Sequence, residues 1–194
     1  MHKIPDSAVE FAEQYLPARL ADFGSVLKAQ TAAGSGVLRI IGVGEWSYWI
    51  EEGQLRHQAG VVGEVLAQLT VKEQDFDPMV LRAVRRAAER GAHALEKSGS
   101  ALALDDERAE LIRSLRGHTL ALALTDGGKE HRLYLTPGAG EPNLDEPDCV
   151  VHADLETIVA VEEQRADPMD MFFEKRLRIV GNANLAMALG GLFA

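Results

Sequence analysis

Two short segments joined by a glycine turn most constrain how this chain folds. In TLALALT, bulky Leu120, Leu122 and Leu124 alternate with small Ala121 and Ala123. That period of two is typical of a β-strand with one bulky and one thin face. The Asp-Gly-Gly run that follows is suited to the positive φ angles of a tight turn, and EHRLYLT has the composition of a returning strand. The sequence therefore predicts a β-hairpin with a leucine-rich face.

Strand and helix patterns alternate along the rest of the chain. The segments VLRIIGV, EWSYWIEEGQLRHQ, CVVHA and LRIVG have strand character. Helices are predicted from Ser7, from Pro17, across residues 78–97 and 107–115, after the caps Asp154 and Asp167, and from Asn182 or Asn184 to the C-terminus. Asp77-Pro78 has the pattern of a cap and a first helical residue. Residues 61–74 fit helix and strand equally well. Together these patterns indicate an α+β fold.

The chain has two halves and a faint internal similarity. The flexible run KSGSALALDD predicts a boundary between units 1–100 and 101–194. VKEQDFDPM, from Val71, resembles VEEQRADPM, from Val161. This pair indicates either two related units in tandem or chance similarity at two helix starts. LRIIG and LRIVG occur in the opposite order relative to that pair, so both alternatives stay open.

Composition excludes several classes of partner. The formal net charge is -10 and the pI is about 5.1, which disfavours binding to the nucleic-acid backbone and a polybasic membrane anchor. Cys149 is the only cysteine, so there is no intrachain disulfide and a reducing compartment fits. Early acidic residues argue against a signal peptide, and no run approaches the ~20 apolar residues of a membrane span. We expect a cytoplasmic protein.

No motif assembles a catalytic or cofactor site. GVGEWS has Ser47 where a dinucleotide fingerprint needs a third glycine, and it leads into a strand-like segment. A nucleotide-dependent enzyme is therefore the weakest of the hypotheses. The histidines have no metal-binding spacing, although His131 and His152 lie in predicted strands and are expected to face each other. Cys149 is expected to be a small buried apolar residue. The sequence predicts no enzyme, no cofactor and no metal.

The last third resembles a known family. The run CVVHADLETIVAVEEQRADPMDMFFEKRLRIVGNANLAMALGGLF is similar to the sterol carrier protein 2 (SCP2) family in its order of elements. That order is a strand, a helix, a short helix opened by proline and carrying an aromatic, an L-x-I-x-G strand and a terminal apolar helix. The matching positions are Pro168, Phe172, Phe173, Leu177, Ile179, Gly181, Leu185 and Leu189. Asn182 stands where the family often has Asp, which is a conservative change of helix cap.

The resemblance implies a mostly antiparallel five-stranded sheet covered by helices, with an apolar tunnel between the two layers. It implies non-catalytic binding or transfer of a hydrophobic lipid of the sterol, fatty acyl or quinone type. Transient membrane contact and a homodimer are compatible with it. The residues expected to line the tunnel are Leu122, Leu124, Leu133, Leu135, Met169, Phe172, Phe173, Leu177, Ile179, Leu185, Met187, Leu189, Leu192 and Phe193.

An alternative hypothesis keeps the fold without the ligand. In it, the pocket has collapsed and the protein is a scaffold or dimerisation module, accessory to a partner enzyme. Trp46, Tyr48 and Trp49 would then be exposed and would form the interface, because aromatic residues are enriched in protein interfaces.

Overall fold

The computed structural model describes residues 2–22, 33–90, 105–163 and 165–191. The first two helices each contain a π-helical turn: α1 comprises Ala8–Glu10, Phe11–Tyr15 and Leu16–Ala21, and α2 comprises Glu73–Phe76, Asp77–Leu81 and Arg82–Arg90. The other helices are α3 (Asp106–Ser114), α4 (Leu155–Glu162), α5 (Pro168–Phe173) and α6 (Ala183–Gly191). The strands are β1 (Ser35–Ile41), β2 (Gly44–Glu51), β3 (Gln54–Ala59), β4 (Val65–Lys72), β5 (Leu120–Asp126), β6 (Lys129–Pro137), β7 (Cys149–Asp154) and β8 (Arg178–Gly181).

All of these strands form one sheet in the order β3-β2-β1-β4-β6-β5-β7-β8. Within the described residues, five neighbouring pairs are antiparallel and two, β1 with β4 and β5 with β7, are parallel. The mostly antiparallel α+β architecture is confirmed, and the sheet is larger than the five strands expected. The predicted hairpin is β5–β6, with positive φ at Gly127 and Gly128. The GVG segment is likewise the turn of the β1–β2 hairpin.

The two halves repeat one strand arrangement. In each half a hairpin, β1–β2 or β5–β6, has its first strand paired in parallel with a later strand, β4 or β7. The nine-residue similarity does not coincide with this repeat. Asp77 has αR angles inside α2, whereas Asp167 is extended and caps α5. The predicted cap at Asp77 is wrong because helix α2 starts directly after β4, at Glu73.

The sheet has an inner face, on which the helices pack, and an outer face. The inner face carries a large core in which Phe11 and Ala12 of α1 and Phe76, Met79 and Leu81 of α2 cover the strands. On the outer face, the loop of residues 138–148 lies over the sheet, where the Tyr134 hydroxyl donates to the Leu144 carbonyl at 3.2 Å. The layer of helices therefore packs on the inner face of the sheet, whereas the loop of residues 138–148 covers the outer face.

Trp46 and Tyr48 belong to this core and not to an exposed interface. They are 4% and 8% exposed, and Trp49 is half-buried, so the expectation of an exposed aromatic surface is wrong. Strand β2 is flanked by β1 and β3, and α1 covers its inner face, where Tyr48 donates to the Ala12 carbonyl at 2.7 Å. Pro17 lies within α1 and does not begin a separate helix.

Tyr48→Phe is expected to lower the free energy of unfolding by about 1 kcal/mol, because the Ala12 carbonyl loses its donor. Burial raises the pKa of the Tyr48 hydroxyl. The unfolded chain therefore releases this proton from about pH 10 while the folded protein retains it, so stability falls as the pH rises further. Urea unfolding at neutral pH and at about pH 11 tests both effects. The variant should lose less stability at high pH than the parent, and an equal loss would contradict the assignment.

Candidate functional site

The inner face of the central strands carries a row of leucines. We define the leucine floor as Leu69, Leu120, Leu122, Leu133 and Leu135. Leu122 lies opposite Leu133, and Leu135 lies between Leu69 and Leu120. Residues directly opposite each other on neighbouring strands point to the same side of the sheet. Three strands, β4, β6 and β5, therefore present one continuous apolar surface to the helices.

The leucine floor is only partly covered. All five of its side chains are half-buried, although they lie in the middle of the sheet. Leu69, Leu122 and Leu133 pack against the large core, whereas Leu120 and Leu135 pack against a second, smaller core. Within the described part of the chain, these two cores are separate clusters of buried side chains. The boundary between the two cores therefore runs across the leucine floor.

Two helices border this region. On one side, Leu155 and Ile158 of α4 pack against the large core, together with buried Leu124. On the other side, Leu185 and Leu189 of α6 are 2% and 3% exposed and form the small core with buried Cys149 and Ile112. Asp154 and Asn182 begin these helices by accepting hydrogen bonds from the amides of Thr157 (2.6 Å) and Leu185 (3.3 Å).

The structure places the predicted lining residues in three different environments. Leu122, Leu133 and Leu135 lie on the leucine floor, and half-buried Ile179 lies next to it, packed against the small core. Leu124, Leu185 and Leu189 are fully packed core residues, and Leu177 is half-buried. Leu192 and Phe193 lie outside the described residues. The remaining four point outward: Met169, Phe172, Phe173 and Met187 are 59%, 42%, 72% and 63% exposed.

Strand β4 is the one strand of the floor from which the lining prediction included no residue. Its Leu69 and Val71 lie on the inner face, opposite Leu135 and Leu133. The segment QLTVK carried a usable signal, because apolar Leu69 and Val71 alternate with polar residues at the period of a strand. The N-terminal half therefore contributes directly to the surface formed by the C-terminal half.

One polar pair lies at the edge of this apolar face. His131 is opposite Leu124 on the inner face, and its Nδ1 is 2.9 Å from Oδ1 of Asp75. Both side chains are largely buried, at 17% and 9% exposure. His152 lies on the other face because it is opposite Ala123, so the expectation that the two histidines face each other is wrong. His131 gives the buried Asp75 carboxylate a hydrogen-bond partner, and burial of this carboxylate without a partner would cost free energy.

Cys149 is a structural residue. It is fully buried in the small core, and burial raises the pKa of its thiol. A thiol that is protonated and inaccessible is a poor nucleophile. Next to Cys149, the Asp148 carboxylate accepts a hydrogen bond from the Thr119 amide at 2.8 Å. This hydrogen bond and the adjacent His118 lower the pKa of the Asp148 carboxyl. The expectation of a small buried apolar cysteine is confirmed.

Gly181→Ala is expected to destabilise the protein by about 3 kcal/mol or more. Gly181 has φ of 91°, and a Cβ there would lie 2.3 Å from the Asp148 carbonyl oxygen. This contact sets the path from β8 into α6. Gly117→Ala is the matched control, since φ is 83° but nothing lies within 4 Å, and it should cost about 1 kcal/mol. Equal losses in thermal unfolding would contradict the steric argument.

Two surface pockets lie away from the leucine floor. One, of about 350 Å³, is at the start of β1 and β4 and includes Trp49 and Val62. The other, of about 370 Å³, lies before α5 and includes Val161 and Pro168. Within the residues that the structure describes, no group of acidic, histidine or cysteine side chains is arranged to hold a metal, and no helix is long and apolar enough to cross a membrane.

Comparisons with known proteins identify one family model and several similar solved structures. The model of the SCP-2 sterol transfer family matches residues 99–194. Similar solved structures include apo sterol carrier protein 2 from Yarrowia lipolytica (20% identity, TM-score 0.35, covering 45% of this chain and 74% of that chain). Two further examples are sterol carrier protein domain 2 of Helicoverpa armigera (23%, 0.32, 45% and 72%) and sterol carrier protein 2 like 2 from Aedes aegypti (18%, 0.34, 55% and 95%). No curated protein matches the chain.

The family match includes β5 to β8 and the four helices from α3 to α6. It covers the whole leucine floor except Leu69 of β4. Residues 99–194 of this chain belong to the SCP-2 sterol transfer family.

Proposed function

We propose that the protein binds or transfers a hydrophobic lipid without catalysis, and that the lipid lies on the leucine floor between α4 and α6. The observation that supports this most is the set of aligned, half-buried leucines at the division between two cores. Membership of a sterol transfer family supports the same class of ligand. The proposed ligands are a sterol, a fatty acyl chain or a quinone.

The energetics of such a site are adequate. Each buried methylene contributes about 0.8 kcal/mol, so ten methylenes laid against the floor contribute ~8 kcal/mol before the cost of ordering the chain. A dissociation constant of ~1 μM requires a net binding free energy of ~8 kcal/mol, so ten methylenes alone fall short by the ordering cost. An acyl chain of about sixteen methylenes, which contributes ~13 kcal/mol before that cost, is long enough for reversible binding on this surface.

The polar pair would define one end of this site. Asp75 and His131 lie beside Leu124, on the same face as the floor. An imidazole next to an apolar surface can hydrogen-bond the carboxylate, hydroxyl or carbonyl group of a lipid. The lipid head is therefore proposed to lie toward His131, with the tail across Leu122 and Leu133.

A saturable titration with a fluorescent fatty acid tests the proposal. Delipidated full-length protein should bind one molecule per chain at micromolar concentration, and a sterol or a quinone should be tested as competitor. Absence of saturable binding for all three ligand types would contradict the proposal.

The cellular compartment, the domain organisation and the oligomeric state are also proposals. A free cysteine and an acidic chain support a cytoplasmic protein. The repeated hairpin-plus-parallel-strand arrangement supports units 1–100 and 101–194 as two related parts. Among the residues that the structure describes, strands β3 and β8 end the sheet and have one unpaired edge each, which supports the alternative of a homodimer or an accessory scaffold. Full occupancy of the floor by side chains, together with a stable dimer, would favour that alternative.

A further inference from the structure

Exposed apolar side chains are concentrated at the end of the sheet that β8 forms. Among the described residues, nine large apolar side chains are exposed, and five of them lie between residues 169 and 187. We call these five the β8 surface; they are Met169, Phe172 and Phe173 of α5, Val180 of β8 and Met187 of α6. Apolar side chains that are concentrated in one region, and not scattered singly, mark a surface at which another molecule binds.

The two helices that carry these side chains flank β8 directly. The amides of Arg176 and Leu177 both donate to the Met171 carbonyl at 2.9 Å, so the last turn of α5 lies beside the residue that precedes β8. At the other end of the strand, Asn182 follows β8 immediately and accepts a hydrogen bond from the Leu185 amide of α6 at 3.3 Å. The β8 surface is therefore centred on one strand.

The outer edge of β8 lacks the protection that edge strands usually have. Charged side chains, prolines and bulges keep an edge strand from pairing with another chain. Strand β3, which ends the described sheet on the opposite side, has Arg56 and His57 at its centre. The centre of β8 is Ile179 and Val180, and its pairing with β7 is regular. Of these two edges, β8 is the one suited to accept a further strand.

Backbone groups are available for pairing along this edge. The Asn182 amide donates to the Asp148 carbonyl at 2.8 Å, and Val180 lies two residues earlier, opposite Val150. Successive residues of an antiparallel strand direct their N–H and C=O groups alternately to its two sides. Val180 is therefore bonded to β7, whereas Ile179 directs its N–H and C=O groups outward. A strand this short offers few such groups, so the apolar side chains around it must contribute most of the binding free energy.

The charge of this region favours a second copy of the chain as the occupant. Residues 167–191 contain three acidic and three basic side chains, so the rest of the chain carries the whole net charge of -10. Two copies that meet through the neutral segment avoid the repulsion that their acidic surfaces would cause. A strongly acidic or strongly basic partner finds no excess of the opposite charge here.

We propose that two copies of the chain associate by antiparallel pairing of their β8 strands, with Val180 opposite the same residue of the second copy. Such an interface is isologous, because both copies contribute the same surface. Val180 then forms a pair without mutual backbone hydrogen bonds, in which opposing side chains lie closest. Antiparallel pairing also places α5 of each copy at the end of β8 where α6 of the other copy begins. The leucine floor stays free, because β7 lies between it and β8.

Analytical ultracentrifugation of the full-length protein tests this inference. The parent is expected to be a dimer at micromolar concentration. Val180→Lys should raise the dimer dissociation constant roughly tenfold or more, because two lysines would lie opposite each other. Phe172→Ser with Phe173→Ser should raise it by a similar factor through the loss of apolar area, on the order of one to two side chains. Val61→Lys, at a 47% exposed apolar residue outside the β8 surface, is the matched control and should leave the dimer unchanged.

A cysteine crosslink tests the arrangement of the two strands. The native Cys149 is buried and is the only cysteine of the chain, so Val180→Cys adds a single accessible thiol. Mild oxidation should link two copies of Val180→Cys through a disulfide, because opposing residues of paired strands are close enough to form one. Val61→Cys is the control and should stay largely unlinked on non-reducing electrophoresis.

A monomeric parent would overturn the inference. So would a dimer that both Val180→Lys and the double serine variant leave intact, or equal crosslinking of the two cysteine variants. Circular dichroism of each variant checks that it is folded. Titration with the fluorescent fatty acid reports on the leucine floor separately, because Val180→Lys should bind it like the parent. Absence of binding in the parent would contradict only the proposed function.

Discussion

A fragment of residues 99–194 is expected to be unfolded or aggregated, although it contains the whole family match. In the full chain, β6 of this half pairs with β4 of the other half, over Ala67 to Val71. The fragment would expose that edge of β6, and Leu122, Leu133 and Leu124 would lose the large core supplied by α1, β1, β4 and α2. An unpaired apolar edge strand favours aggregation.

Circular dichroism, the proton NMR spectrum and urea unfolding of the fragment measure this effect. We expect little dispersion of amide signals and no cooperative transition. Co-expression with residues 1–98 is the control, and it should restore a soluble complex with the unfolding curve of the full chain. A fragment that is monomeric, with a dispersed spectrum and a cooperative transition, would show that the two halves are independent domains.

Leu122→Trp is expected to abolish fatty-acid binding and to leave the free energy of unfolding unchanged or slightly raised. A larger side chain in a filled core costs about 1–3 kcal/mol through strain. At a half-buried position beside an uncovered apolar strip, the indole instead fills space that the ligand would occupy. The predicted result is a loss of binding without a loss of stability.

Leu124→Trp is the matched control for this variant. Leu124 is two residues along the same strand, points to the same face and is only 4% exposed. The same substitution there should destabilise the protein by about 1–3 kcal/mol. If the two variants lose equal stability, Leu122 is packed as tightly as Leu124, and the proposed lipid surface has no room for a ligand.

Local chemistry in the sequence accounts for the hairpin and most of the caps. The alternation of Leu120, Leu122 and Leu124 requires a strand, and the glycines after it adopt the positive φ angles of the turn. Asp154 and Asp167 cap α4 and α5 as predicted. Each of these features depends on contacts within a few residues, which a sequence pattern represents directly.

The features that sequence did not predict depend on packing between distant segments. Met169, Phe172 and Phe173 have the spacing of a core-facing helix, but spacing gives an apolar face without saying what covers it. Here Met171, on the opposite face, makes the buried contact. Likewise, pairing of β4 with β6 joins residues nearly 70 positions apart, and no local pattern specifies that partner.

Methyl NMR of the leucine-labelled full-length protein tests the central claim most directly. On addition of a fatty acid, the methyl signals of Leu122, Leu133 and Leu135 should shift in a saturable manner and show contacts to the acyl chain. The packed Leu124 should change least. No shift at these leucines, or shifts confined to another surface such as the pocket beside Trp49, would contradict a lipid site between the helices and the sheet.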